Sequence, residues 1–121
     1  MGLDMFAFTT PTAPRAAVDF DVDDRREIAY WRKHPDLHGW MEALYRAKGG
    51  AEEMFNCVNV ALDAADLDAL EAAIRAGRLP STSGPFYGQS DGSEADDDLA
   101  FIERARDAIA DGETVFYSSW W

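Results

Sequence analysis

Apolar residues recur along the chain in two periods, and each period predicts its own kind of element. The run 2–9 (GLDMFAFT) is short, apolar and aromatic, which predicts a strand covered on both faces. Pro11 and Pro14, set among small residues, predict a loop over 10–22. From Asp23 or Asp24 the spacing turns helical. Asp24 with Glu27 three residues on resembles a capping box, and Ile28 and Trp31 give it an apolar face. Pro35 interrupts, because its ring would meet the Trp31 carbonyl in an unbroken helix. The expectation over 24–46 is therefore one kinked helix or two. Leu37, Trp40, Met41 and Leu44 follow at helical spacing, and Gly49-Gly50 ends the run.

Phe55 to Val60 (FNCVNV) alternates and is rich in β-formers, which predicts a second strand. Asp63 is a good N-cap with Asp66 at the third helical position, and Leu62 can staple to Leu67. Leu67, Leu70 and Ile74 make the buried stripe of a helix over 63–76 that stops at Gly77. Leu79 to Gly88 (LPSTSGPFYG) is turn chemistry around Phe86 and Tyr87. Ser93 with Asp96 opens a helix over 94–111, with Leu99, Ile102, Ala105 and Ile109 on one face and Gly112 as its stop. The aromatic segment 114–119 closes as a strand. The sum is a single α+β domain over 1–121. It has a small antiparallel or mixed sheet of about three strands, covered by about three to four helices.

Composition narrows the function classes. A length of 121 residues, 47% hydrophobic and 28% charged, suits one folded domain. No apolar run approaches the roughly 20 residues of a membrane helix, so no membrane association is expected. Met1 to Met5 lacks the basic region of a signal peptide, and the single Cys57 allows no internal disulfide, so a cytoplasmic location is expected. Lys and Arg total 11 against 23 Asp and Glu, a net charge of −12. Such a surface repels phosphates, so direct nucleic-acid binding is not expected. Two explanations of the acidity remain open. The acids keep the chain soluble, or they imitate nucleic acid in a partner's basic groove.

Several strings are distinctive together: GLDMFAFTT at 2–10, YWRKHPDLHGWMEALYRAKGG at 30–50, FNCVNV at 55–60, LPSTSGPFYG at 79–88, EADDDLAFIERAR at 94–106 and VFYSSWW at 115–121. In this order the chain resembles a family of small proteins found in bacteriophages and in bacterial prophage regions. The resemblance spans nearly the whole chain outside the loop at 11–22. It implies a phage or prophage association, and it implies no particular reaction.

Candidate chemistry is sparse. His34 and His38 stand four apart, the helical spacing of a metal-ligand pair, and are weak metal candidates. Zinc needs three or four ligands, Pro35 disturbs the backbone between the two, and no HExxH motif is present. A surface His34 and a packed, hydrogen-bonded His38 near Trp31 and Met41 are expected instead, with no metal and no cofactor. The acids at 19, 21, 23 and 24 start like a calcium loop, but its sixth and twelfth positions hold Asp24 and Tyr30 instead of Gly and Glu. No Walker loop or GxSxG elbow is found, and Cys57 reads as a small hydrophobe in a strand. The most unusual local string is Trp31-Arg32-Lys33-His34, cationic and aromatic within an acidic chain. With His38, Tyr117 and Trp120 it forms the candidate binding set, because aromatic and Arg side chains dominate binding hot spots. The alternative is core packing with solvated Arg and Lys heads. The leading expectation is a non-enzymatic binding protein with a host or phage protein as partner. The alternatives are a small enzyme or ligand-dependent factor at the Trp31–His38 region, and an acidic nucleic-acid mimic. The oligomeric state is not legible.

Overall fold

Strand pairing orders the chain into one antiparallel sheet. The computed structural model describes residues 2–121. Strand β1 (Asp4–Thr10) is central, flanked by β2 (Arg26–Arg32) and β4 (Thr114–Trp120), and β3 (Val60–Leu62) adds to the outer side of β4. The order β2-β1-β4-β3 is antiparallel throughout, with four strands where about three were expected. Three helices complete the fold: α1 (Pro35–Ala47), α2 (Ala64–Arg75) and α3 (Ala95–Ala110).

Register decides what each face buries. Met5 lies beside Trp31 and Ser119, and Ala7 beside Ala29 and Tyr117. This face packs with Leu37 and Met41 of α1, Leu67 and Leu70 of α2, and Phe101 and Ile102 of α3, forming the main core. The opposite face carries Phe8 and Phe116, ring centroids 5.4 Å apart, and the 11–25 loop covers them with Phe20. β1 is thus covered on both faces, as its composition suggests.

The helix expected from Asp24 is instead β2. Ala29 and Trp31 face inward and Tyr30 outward, the period of a strand. A bulge hides that alternation: Ala7 pairs with Ala29 but Phe8 pairs with Glu27, leaving Ile28 as the extra residue. Arg104 Nε donates to the Ile28 carbonyl at 2.6 Å and holds the bulge in place. Lys33 turns the chain with φ +57°, and Pro35 takes the first turn of α1, where its missing N–H costs nothing. Asp24 accepts from the hydroxyls of Thr10 and Thr12 rather than capping a helix.

The strand expected at 55–60 is also corrected. Pairing begins only at Val60. Asn56 bonds through its carboxamide to both the N–H and the C=O of Trp121, and Asn59 donates to the Phe20 carbonyl. These side-chain bonds replace a ladder. Cys57 sits exposed in this loop with φ +58°, not inside an apolar strand. The capping box of α2 forms as the spacing predicts, with Asp66 N–H on Asp63 and Asp63 N–H on Asp66. At α3 the cap is Glu94 rather than Ser93, whose hydroxyl turns back to Asp91. No helix is long and apolar enough to cross a membrane among the described residues.

Candidate functional site

Two neighbouring places gather the residues with chemical potential: a groove at the end of the sheet and a buried polar chain behind it. The groove follows from the register. Asp4 pairs with Arg32 on one side and Trp120 on the other, so these residues emerge together where β1 begins. Asp4 and Trp120, with Gly2, Pro85, Phe86 and Trp121, line a groove of about 560 Å³, and Arg32 stands beside it, paired with Asp4. Phe86 is 63% and Trp120 67% exposed, the two largest values among the exposed large hydrophobics. Asp4 Oδ1 accepts from Tyr30 Oη and Arg32 Nη1, each at 2.6 Å. Both bonds hold the Asp4 carboxyl below its usual range, Tyr30 first. A Cβ on Gly2 would come within 2.8 Å of Arg32 Nη2, and one on Gly88 within 2.9 Å of Lys33 Cβ. The Arg32 guanidinium and the Lys33 stem thus pack against bare backbone at the rim.

Behind this rim the chain turns inward at His34. Asp98, on the buried stripe of α3, is 2% exposed. Its Oδ1 accepts the Trp31 indole N–H at 2.9 Å, and its Oδ2 lies 2.9 Å from His34 Nε2. The Ser90 hydroxyl lies 2.6 Å from His34 Nδ1 and accepts the Asp36 N–H at 3.1 Å. In the Nε2–H tautomer the imidazole donates to the carboxylate and Nδ1 accepts from Ser90, while Glu94 Oε2 lies 3.5 Å from the same Nδ1. An opening of about 260 Å³ adjoins this chain, with Ile74 and Leu79 on its wall. His34 is therefore buried, which corrects the expectation of a surface position. The turn at Lys33 and the start of α1 aim its ring at α3.

His38 belongs to a different network, one turn into α1. Its Nδ1 shares a hydrogen bond with Tyr117 Oη at 2.6 Å, and its Nε2 lies 3.4 Å from Tyr87 Oη. The rings of Phe55, Tyr87 and Tyr117 surround it, and burial lowers its pKa to about 4. It is packed and hydrogen-bonded, as expected, in the core that also holds Trp31 and Met41, and its aromatic ring contacts are Phe55, Tyr87 and Tyr117. The two histidines bond to separate partners. Among the described residues no group of three or more His, Cys, Asp and Glu side chains is placed to hold a metal ion.

Of the candidate binding set, Arg32, Lys33 and Trp120 reach the surface at one end of the sheet. Trp31, His38 and Tyr117 lie in the core beneath. The candidate binding set held only Trp120 of the groove's lining, so Gly2, Asp4, Pro85, Phe86 and Trp121 were not in it, and neither were Ser90 and Asp98 of the polar chain. Of those last two, only Asp98 left a signal, since it shares the buried stripe with Phe101, Ile102 and Ala105, where a carboxylate needs partners. Ser90 and His34 are 56 residues apart, and no local pattern links them. Compared with family profiles, characterised proteins and solved structures, the chain matches none.

Proposed function

We propose that the chain is a binding protein, of phage or prophage association, that receives a protein partner in the groove between Phe86 and Trp120. One observation carries this reading: two large aromatic side chains stay exposed across a single concavity on an anchored framework. Holding them in water forgoes about 1.5–3 kcal/mol of burial for each ring. The framework is fixed, because Trp121 Nε1 donates to the Phe55 carbonyl and Tyr87 is buried beside Phe86. The rings are thus displayed on an ordered scaffold, which lowers the cost of binding. Arg32 and Lys33 at the rim favour a partner segment with an apolar side chain for the groove and an acidic residue beside it.

A photo-crosslinking amino acid placed at Phe86, and separately at exposed Met54, which does not line the groove, tests this in host lysate. The reading expects one partner captured from position 86, absent from position 54, and lost when Trp120→Ala is added. Equal capture from both positions, or capture indifferent to Trp120→Ala, would overturn it.

A further inference from the structure

We propose that Ser90, His34 and Asp98 form a nucleophilic site that takes the acyl group of small neutral or cationic esters onto Ser90 Oγ. This goes beyond partner binding and uses a different part of the surface. The connectivity is that of an activated serine: carboxylate to imidazole at 2.9 Å, imidazole to hydroxyl at 2.6 Å. Here Nδ1 faces the serine and Nε2 the carboxylate, and the proton logic is unchanged. Asp98 is a positioning residue. It is held by the Trp31 indole N–H and fixes the imidazole tautomer that leaves Nδ1 free to accept.

The surroundings suit the chemistry. Asp36 N–H, in the first turn of α1, donates to Ser90 Oγ at 3.1 Å and holds the hydroxyl against His34 Nδ1, with its own proton turned to the imidazole. Glu94 Oε2, 3.5 Å from His34 Nδ1, faces the imidazolium that forms. Ser90 is partly exposed and lines the opening, whose wall at Ile74 and Leu79 accepts a short apolar acyl chain. Asp36 and Glu94 line the same opening and disfavour anionic substrates.

Ser90 Oγ bonds to the carbonyl carbon as its proton passes to His34 Nδ1. The carbon–oxygen bond to the alcohol then breaks, and the departing oxygen takes that proton. Water gives a proton to Nδ1 and attacks the acyl-serine. The ester bond breaks, the acid leaves, and Ser90 regains its proton. No co-reactant besides water is needed.

The test incubates the full chain with p-nitrophenyl acetate, and separately with a fluorophosphonate, followed by peptide mass spectrometry. The adduct is expected on Ser90 at least about a hundredfold faster than on Ser93 or Ser118, the lower end of what a positioned general base contributes. Ser90→Ala should abolish p-nitrophenol release above background. Imidazole ¹⁵N spectra should show His34 protonated at Nε2, a signature that Asp98→Asn shifts. Adducts spread evenly over the serines, or release unchanged in Ser90→Ala, would overturn the proposal. Should Ser90→Ala unfold, the adduct map of the unaltered chain decides alone.

Discussion

The Asp98 carboxylate accepts the Trp31 indole N–H at 2.9 Å, joining α3 to β2 across 67 residues of chain. Both groups are buried, and Trp31 also packs edge-on against Phe101 with ring centroids 5.1 Å apart. The bond therefore joins the polar chain to the main core. Removing one partner leaves the other in a place water does not reach, which is where hydrogen bonds cost most to lose.

Two substitutions at Trp31 separate these contributions. Trp31→Phe keeps most of the apolar contact and removes the donor, which should cost about 1–3 kcal/mol. Trp31→Ala adds a cavity and should cost about 3–5 kcal/mol, a large share of a small domain's stability. Urea unfolding measures both. A Trp31→Phe variant as stable as the unaltered chain would show that the bond contributes nothing.

His38 makes stability depend on pH. Burial lowers its pKa from 6.5 to about 4, so between those values the unfolded chain binds a proton that the folded chain refuses. Stability from this group is full above pH 6.5 and falls as pH drops toward 4. The loss reaches at most about 3 kcal/mol, from 1.36 kcal/mol per pKa unit. Denaturant midpoints at steps across this range should fall toward acid, and His38→Gln should flatten the slope. A His38→Gln variant with an undiminished slope would place the pH dependence elsewhere.

Where chain-local physics decides, the sequence was readable. The β1 and β4 runs, the capping box at Asp63 and the stops at Gly77 and Gly112 form as expected, the two glycines with φ +64° and +86°. At β2 a coincidence misled the periodicity. Ile28 and Trp31 are three apart, as on a helix face, but Ile28 is a bulge residue that breaks the strand's alternation. At 55–60 the alternation was genuine, but Asn56 and Asn59 satisfy backbone groups of distant segments and pull the chain off the ladder. The groove was half legible. Arg32, Lys33 and Trp120 stand out by composition, while Asp4 joins them only through strand register. The polar chain draws on residues 34, 90 and 98, which only the tertiary fold brings together.

Gly39 shows the same non-local control inside α1. A Cβ there would lie 2.0 Å from Thr82 Oγ1, because the 79–84 segment crosses directly over the helix. Thr82 N–H donates to Asp36 on that helix at 3.0 Å, so the segment cannot simply withdraw. Alanine normally favours a helix interior over glycine by about 1 kcal/mol. Overcrowding of this kind typically costs about 1–3 kcal/mol, and the clash should win. Gly39→Ala should lower the melting temperature, and adding Thr82→Gly should recover most of the loss. A stabilised single variant would mean that the segment moves freely.

Asp96 and Asp97 test what the acidity does. Both are exposed in the first turn of α3, where the helix dipole favours negative charge. If that and solubility are their contribution, reversing each to Lys should cost about 0.3–1 kcal/mol and leave capture by the Phe86–Trp120 groove intact. A surface that imitated nucleic acid would behave differently: the double reversal would abolish partner binding while the fold survived. Salt separates the two further. Binding carried by the groove's apolar contacts, with only the Arg32 and Lys33 rim pairs to screen, should weaken modestly between about 0.05 and 0.5 M salt, whereas binding through a broad charged face should weaken steeply as the screening length shortens. Partner affinity for the reversed variant, measured at both salt concentrations, distinguishes them, and loss of binding at low salt with an unchanged melting temperature would assign the acids to recognition.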